Sequence, residues 1–301
     1  MAGGDDIQIS RSVTINLPNS EEFLLEGPDG DYLIQMSWPL HWREKSPPGQ
    51  RSLPVIYIVD GNALFLTATE CAWRRSASSH FSGGGIVVAV GYPLPHGKLY
   101  DAKRRSNDLT PPTTPSLPGY GGADDFLDFI EHTVRAAVRM RFPETAISRE
   151  ALYGHSYGGL FSLFALLSRP RSFDCFMASS PSIWWNHGCI FDEARRFLQS
   201  EQLVGDERPS LMMFWGSLEQ DPPQWDGEPL DHWEARKQVA ADLKMADNAR
   251  HMCHMLRGGG KLRTLSHAEY DHEEHTSTMT CSISRSLTSF FEDWPFLEQQ
   301  A

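Results

Sequence analysis

Short runs of unbroken apolar residues recur along the chain, and each ends in glycine, serine or another small polar residue. Residues 53–59 (LPVIYIV), 85–90 (GIVVAV), 174–180 (DCFMASS) and 211–215 (LMMFW) show little polar–apolar alternation. Each therefore demands burial on both faces, as a strand inside a parallel sheet does. Helical periods lie between them. Residues 124–141 put Phe126, Ile130, Val134 and Val138 on one face before Pro143. Residues 192–203, 232–256 and 278–291 read as further helices, the second with Val239, Leu243 and Ala246 on a common side. Residues 261–270 read as the last strand. Near the N-terminus, residues 13–17 and 31–38 alternate around Gly27-Pro28-Asp29-Gly30, predicting an antiparallel edge hairpin. Residues 46–52 read as a surface loop. The polar, proline-rich stretch 98–120 is too long for a plain connection, so it is expected to be functional or mobile.

Strands alternating with helices predict an α/β fold: a mostly parallel central sheet, helices on both faces, and the hairpin at one edge. Right-handed crossovers then bring the C-terminal ends of the parallel strands to one rim, where ligands bind. Chemistry should be sought just after strands.

One such place stands out. Residues 151–159, ALYGHSYGG, read as a strand, a tight turn with a serine at its apex, and the start of an apolar helix. A serine hydroxyl is a weak nucleophile; to be used it must be exposed, set beside a base, and faced by N–H groups that receive the oxyanion. A strand-to-helix elbow exposes Ser156 and aims the Tyr157 N–H and the helix dipole at the developing charge, while Gly154 and Gly158 permit the close approach. A glycine-rich structural turn is the plainer reading, and the strand before and helix after argue against it.

Bulk composition adds limits. At 301 residues, 40% hydrophobic and 22% charged, with no composition shift marking a linker, the chain fits a single globular domain spanning residues 1–301, residues 1–12 forming a flexible segment. A net charge of -12 argues against a nucleic-acid partner, which needs clustered cations. The N-terminal stretch lacks the apolar core of a signal peptide, and nowhere do 18 apolar residues run together, so no membrane association is expected. Five scattered cysteines without C-x-x-C spacing read as reduced thiols of a cytoplasmic protein.

A base and an acid must reach Ser156 from elsewhere. The run 211–215 leads into Glu219 and Asp221, either of which fits the acid; a solvated loop carboxylate is the bland alternative for each. After the last strand come His267, His272 and His275, of which His275 lies nearest the final helix, with serine and threonine beside it to cap that helix. The His and carboxylate cluster and the His251/His254 pair leave a metal site conceivable, but no H-E-x-x-H or other known ligand spacing occurs, so no metal is expected. A second oxyanion donor should follow the first parallel strand, where Asp60-Gly61-Asn62 stands.

Taken together, YIVDGNALF, RSNDLTP, GGADDFLDFI, GHSYGG, SPSIWW, GSLE and EYDHEEHTS, in that order over about residues 53–291, make the chain similar to the esterases of the α/β-hydrolase superfamily that include the ferric-siderophore esterases. The resemblance implies the α/β-hydrolase fold, with Ser156 as nucleophile, His275 as base and Glu219 as the acid that orients it. It implies backbone N–H groups of Gly61 or Asn62 and of Tyr157 as the oxyanion hole, and Arg104, Arg105, Trp184 and Trp185 as substrate contacts. Some relatives look like Ser-His dyads. For Arg105 the alternative is a structural ion pair with Asp108 or another carboxylate, and for the tryptophans loop packing.

The implied activity is hydrolysis of the ester bonds of a ferric siderophore, a small-molecule partner, with iron entering only as part of the substrate and no cofactor. Ferric tris-catecholates are trianionic and ferric tris-hydroxamates neutral, so an acidic chain leans toward a hydroxamate such as triacetylfusarinine C or fusarinine C. A general carboxylesterase or acyl-thioester hydrolase on the same fold, or a siderophore-binding protein without catalysis, are the alternatives.

Overall fold

Residues 15–42, 52–201 and 208–292 are described by a computed structural model of the chain. The expected flexible segment 1–12, residues 13–14 of the expected first strand, residues 46–51 of the expected loop and residues 202–203 of an expected helix lie outside them. The strands are β1 (Ser20–Gly27), β2 (Gly30–Ser37), β3 (Leu53–Val59), β4 (Ile86–Gly91), β5 (Ile147–His155), β6 (Cys175–Ser179), β7 (Ser210–Gly216) and β8 (Thr264–Tyr270). They form one sheet in the order β1-β2-β4-β3-β5-β6-β7-β8. The β1–β2 and β2–β4 pairs are antiparallel and the rest parallel. This is the expected architecture.

The helices are α1 (Gly61–Ser76), α2 (Ala102–Asp108), α3 (Ala123–Asp128), α4 (Arg135–Arg141), α5 (Tyr157–Ser168), α6 (Trp185–Gly188), α7 (Ile190–Gln199), α8 (Leu230–Leu243), α9 (Met245–Arg257) and α10 (Ser277–Glu292). All seven residues of β3 are buried, because the sheet is covered twice. Val55, Tyr57 and Val59 face a core built with α3, α4, α5, α7 and α9. Ile56 and Ile58 face a second core with Leu64 and Phe65 of α1 and Ile283, Leu287 and Phe290 of α10. At roughly 1.5–3 kcal/mol for each fully buried large apolar side chain, these central strands carry the fold.

The chain runs from β3 outward to β4 and then returns to place β5 on the other side of β3. That reversal makes the gap between the C-terminal ends of β3 and β5 a topological switch point, where open α/β sheets bind ligands. Asp60-Gly61 and Ser156 stand there.

Four expectations need correction. The hairpin's first strand is Ser20–Gly27 rather than 13–17; residues 15–17 are exposed and outside any strand. Outward-facing Leu24, half exposed among Phe23 and Leu25, hides the two-residue period that would have located it. The helix of 124–141 does bury Phe126, Ile130, Val134 and Val138, but through a π turn at Phe129–Val134. Three successive four-residue steps outrun a 3.6-residue turn, and the wider turn keeps the stripe on the core. The stretch 232–256 is two helices, broken at left-handed Lys244 (φ 50°), and Val239 is exposed. The segment 98–120 holds a helix, α2, with Asp101 accepting hydrogen bonds from the N–H groups of Lys103 and Arg104.

Candidate active site

Ser156 sits at the apex of the β5–α5 elbow with φ 60° and ψ -117°, a strained conformation for a residue with a Cβ. A Cβ on Gly154 would lie 2.0 Å from the Gly158 carbonyl oxygen, so only glycine lets the helix start this close to the strand. The backbone is tied down on both sides: the Ser156 N–H donates to Ser179 O (2.9 Å) and its carbonyl accepts from Ser182 N–H (3.1 Å).

Two loops interlock to build the acid and base. The turn after β7 and the segment after β8 are joined by Leu218 N–H to Glu273 O (3.0 Å) and Ser217 N–H to Tyr270 O (2.9 Å). Gly216 is required there, since a Cβ would stand 2.2 Å from Glu273 O. The result is a 2.7 Å hydrogen bond between His275 Nδ1 and Glu219 Oε2. The Glu219 side chain is 1% exposed; Oε1 accepts from Ser180 Oγ and from the Gly216 N–H, each at 2.6 Å. A buried carboxylate with three donors is fixed in place. With Nδ1 spent on Glu219, Nε2 is the free nitrogen of His275.

The rival candidates are elsewhere. Asp221 is 75% exposed and pairs with Lys237. His267 stacks on Trp215, and His272 is an exposed turn residue beside Asp271. At the start of α10 the Glu274 carboxylate accepts from the N–H groups of Thr276 and Ser277, and Ser277 Oγ accepts from the Glu274 N–H in return (3.0 Å), so the expected serine shares the cap with a carboxylate. His251 packs against Phe191. Among the described residues one group of potential metal ligands clusters, Asp128, Glu131 and His132, and Arg169 already pairs with both of its carboxylates.

Across the switch point, Asp60 caps α1 in the left-handed conformation (φ 55°), which leaves the N–H groups of Gly61 and Asn62 in the first helical turn, without intrahelical acceptors. The Asn62 side chain brackets the Tyr92 backbone, donating to its carbonyl (2.9 Å) and accepting from its N–H (2.8 Å). Tyr157 begins α5 and offers the third such N–H. Two helix N-termini thus converge beside Ser156.

Of the four expected substrate contacts, Trp184 is engaged least by its surroundings. It is partly buried and lies 6.1 Å from the Tyr157 ring. Trp185 is 4% exposed and packs in the core near Tyr120, so it is loop packing. Arg104 lies over the Tyr32 and Tyr92 rings (4.3 and 4.8 Å) and donates to Asp31 O, bracing the hairpin. Arg105 makes a two-pronged bond to Asp60, Nε to Oδ1 (3.0 Å) and Nη2 to Oδ2 (2.8 Å), and lies 5.3 Å from the Tyr157 ring. It ties the two helix N-termini together, and its carboxylate partner is Asp60 rather than Asp108. Asp108 instead accepts from the hydroxyls of Tyr32 (2.8 Å) and Tyr92 (3.2 Å), and burial pushes its carboxyl up to about 6.

Sequence reasoning missed the end of β6. Ser179-Ser180-Pro181-Ser182 holds both the nucleophile and the acid: Ser179 O accepts from the Ser156 N–H, Ser180 Oγ donates to Glu219, and Ser182 Oγ lies 3.4 Å from Ser156 Oγ. Three serines at the end of a strand neighbouring the elbow were the available signal.

Residues 27–279 match the family model described as "Putative esterase". The chain belongs to this esterase family. Within it the esterase stands among siderophore esterases. It is 63% identical over 287 residues to the siderophore triacetylfusarinine C esterase of Aspergillus fumigatus, covering 95% of this chain and 98% of that one. It is 41% identical to the siderophore enterobactin esterase of Emericella nidulans, over 85% and 88% of the two chains. Among solved structures, the siderophore hydrolase EstB from Aspergillus nidulans superposes with a TM-score of 0.90 at 52% identity, covering 95% of this chain and 99% of that one. The α/β-hydrolase fold and carboxylic ester hydrolysis follow from this membership.

Proposed function

We propose that the esterase hydrolyses the ester bonds of a ferric hydroxamate siderophore of the triacetylfusarinine C type in the cytoplasm, releasing iron for use. The observation that carries the mechanism is the Glu219–His275 hydrogen bond, made with the His275 ring against His155, the residue before the strained serine. Ser156 Oγ attacks the ester carbonyl while His275 Nε2 takes its proton; Glu219, accepting from Nδ1–H, stabilises the imidazolium. The tetrahedral oxyanion is received by N–H groups of Gly61 or Asn62 and of Tyr157. The ester C–O bond then breaks, and His275 returns its proton to the leaving alkoxide. Water, activated by the same imidazole, releases the acyl group.

The electrostatics support the neutral substrate class. Arg105 is neutralised by Asp60, so it brings no free cation to the rim for a trianionic catecholate complex. The 63% identical relative named for triacetylfusarinine C supports the same substrate. All five cysteines are free thiols, which fits a reducing compartment.

The test is a mass-spectrometric hydrolysis panel: ferric triacetylfusarinine C, ferric enterobactin and a simple aryl ester, with wild type and Ser156→Ala. Wild type should cleave the hydroxamate fastest, and Ser156→Ala should lose roughly 10⁴-fold or more in kcat while still binding it. Preference for the aryl ester would mark a general carboxylesterase. Hydrolysis that survives Ser156→Ala would overturn the mechanism.

A further inference from the structure

The residue before the nucleophile is a second histidine, and no step above uses it. His155 is buried. Its Nδ1 lies 3.0 Å from Ser179 Oγ, while its Nε2, equally buried, has no hydrogen-bond partner among the described residues. Its ring centroid stands 4.6 Å from that of His275, at 45°.

The direction of the protons beneath it follows from a carbonyl. Ser282 Oγ lies 2.7 Å from Thr278 O and 3.1 Å from Met279 O. A carbonyl only accepts, so the Ser282 proton goes there. Its lone pairs then receive the hydroxyl protons of Tyr153 (2.7 Å) and Ser179 (2.8 Å). Having spent its proton, Ser179 Oγ accepts from His155 Nδ1–H. The opposite order would leave a buried Nε2–H without an acceptor, which folded proteins avoid more strictly than an under-used lone pair. His155 Nε2 is therefore bare.

A bare buried nitrogen destabilises the resting protein unless something gains from it. Burial holds the ring neutral, with its pKa well below the ordinary histidine value, desolvation first and the neighbouring His275 and Arg105 next. No second cation can therefore form beside His275.

We propose that His155 is a positioning residue for the base: its neutral imidazole, locked as the Nδ1–H tautomer by Ser179 and Ser282, turns the negative end of its dipole to His275. There it stabilises the imidazolium that forms as Ser156 loses its proton. The inference rests on His275 being that base. The other titratable or charged groups around the pair are Glu219 on His275, the Arg105–Asp60 pair and Tyr153 on the same strand, and none is altered by the variants below.

His155→Phe keeps a ring against His275 and removes the dipole. On a simple aryl ester, kcat/KM should fall about tenfold at its plateau, and its acid limb should move to lower pH by up to about one unit, since the imidazolium loses that stabilisation. Ser179→Ala frees the tautomer and should move the limb the same way, by less. In ¹⁵N-labelled wild type, His155 Nε2 should give the signal of a bare nitrogen between about pH 5 and 8. An acid limb unmoved in both variants, or a protonated Nε2, overturns the inference. The nitrogen signal does not depend on activity, so it separates this failure from that of the mechanism, which the Ser156→Ala result decides.

Discussion

Two regions leave the same rim of the sheet and are built on opposite plans. The floor of the site, from the ends of β3, β5, β6 and β7, is buried and wired across the whole chain: Ser156 to Ser179, Glu219 to Ser180 and His275, Arg105 to Asp60. The excursion over residues 221–243, beginning two residues past Glu219, is wired to itself. Arg236 holds Glu228 and the Pro223 carbonyl and stacks over Trp225; Trp233 donates to Pro222 O; Lys237 pairs with Asp221. Of the fourteen residues of α8, Ala240 alone is buried. Atoms that react need positions held to a fraction of an ångström, which takes burial and bonds from several elements. A segment free of that demand keeps its local shape with few ties to the core, and such segments open most readily.

The largest effects should therefore come from the floor. Glu219→Gln keeps shape but removes the charge that stabilises the His275 imidazolium, and should lower kcat by roughly 10²–10⁴-fold, whereas Asp221→Asn should leave it near wild type. Comparing the two kcat values on one substrate checks the assignment; equal losses would erase the distinction between floor and excursion. Arg105→Lys comes next. Lysine keeps the charge but cannot grip both Asp60 oxygens, so the N-terminus of α1 loosens from that of α5. We expect kcat to fall about tenfold, on the scale of one charge-assisted bond, with KM little changed. A rise in KM at constant kcat would instead mark Arg105 as a substrate contact.

The same contrast explains what the sequence could tell. Central strands announce themselves because burial on both faces leaves an unbroken apolar run, and the elbow because Gly154, Ser156 and Gly158 serve one local geometry. Glu219 and Asp221 looked alike for the opposite reason: their difference is made by Gly216, Ser180 and the docked segment after β8, which lie in three parts of the chain. The partner of Arg105 was open for the same cause, Asp60 standing 45 residues away. Pairings between loops carry no period. At the excursion's end, Val239 and Leu243 imitated a core-facing stripe with Ala246 of α9, which is buried, and the left-handed break at Lys244 disconnects them.

The smallest effect on chemistry is expected in the excursion itself. Arg236→Ala removes the side chain that gathers Glu228, Pro223 and Trp225, so residues 221–243 should exchange their amide hydrogens faster, with protection elsewhere unchanged. Turnover of a small aryl ester should stay within about twofold, because the floor shares no hydrogen bond with Arg236. Hydrogen exchange and aryl-ester kinetics on one preparation read both sides. If exchange quickens at Glu219 and His275 as well, or small-ester turnover drops with it, the excursion is an outer wall of the site and the two plans are one.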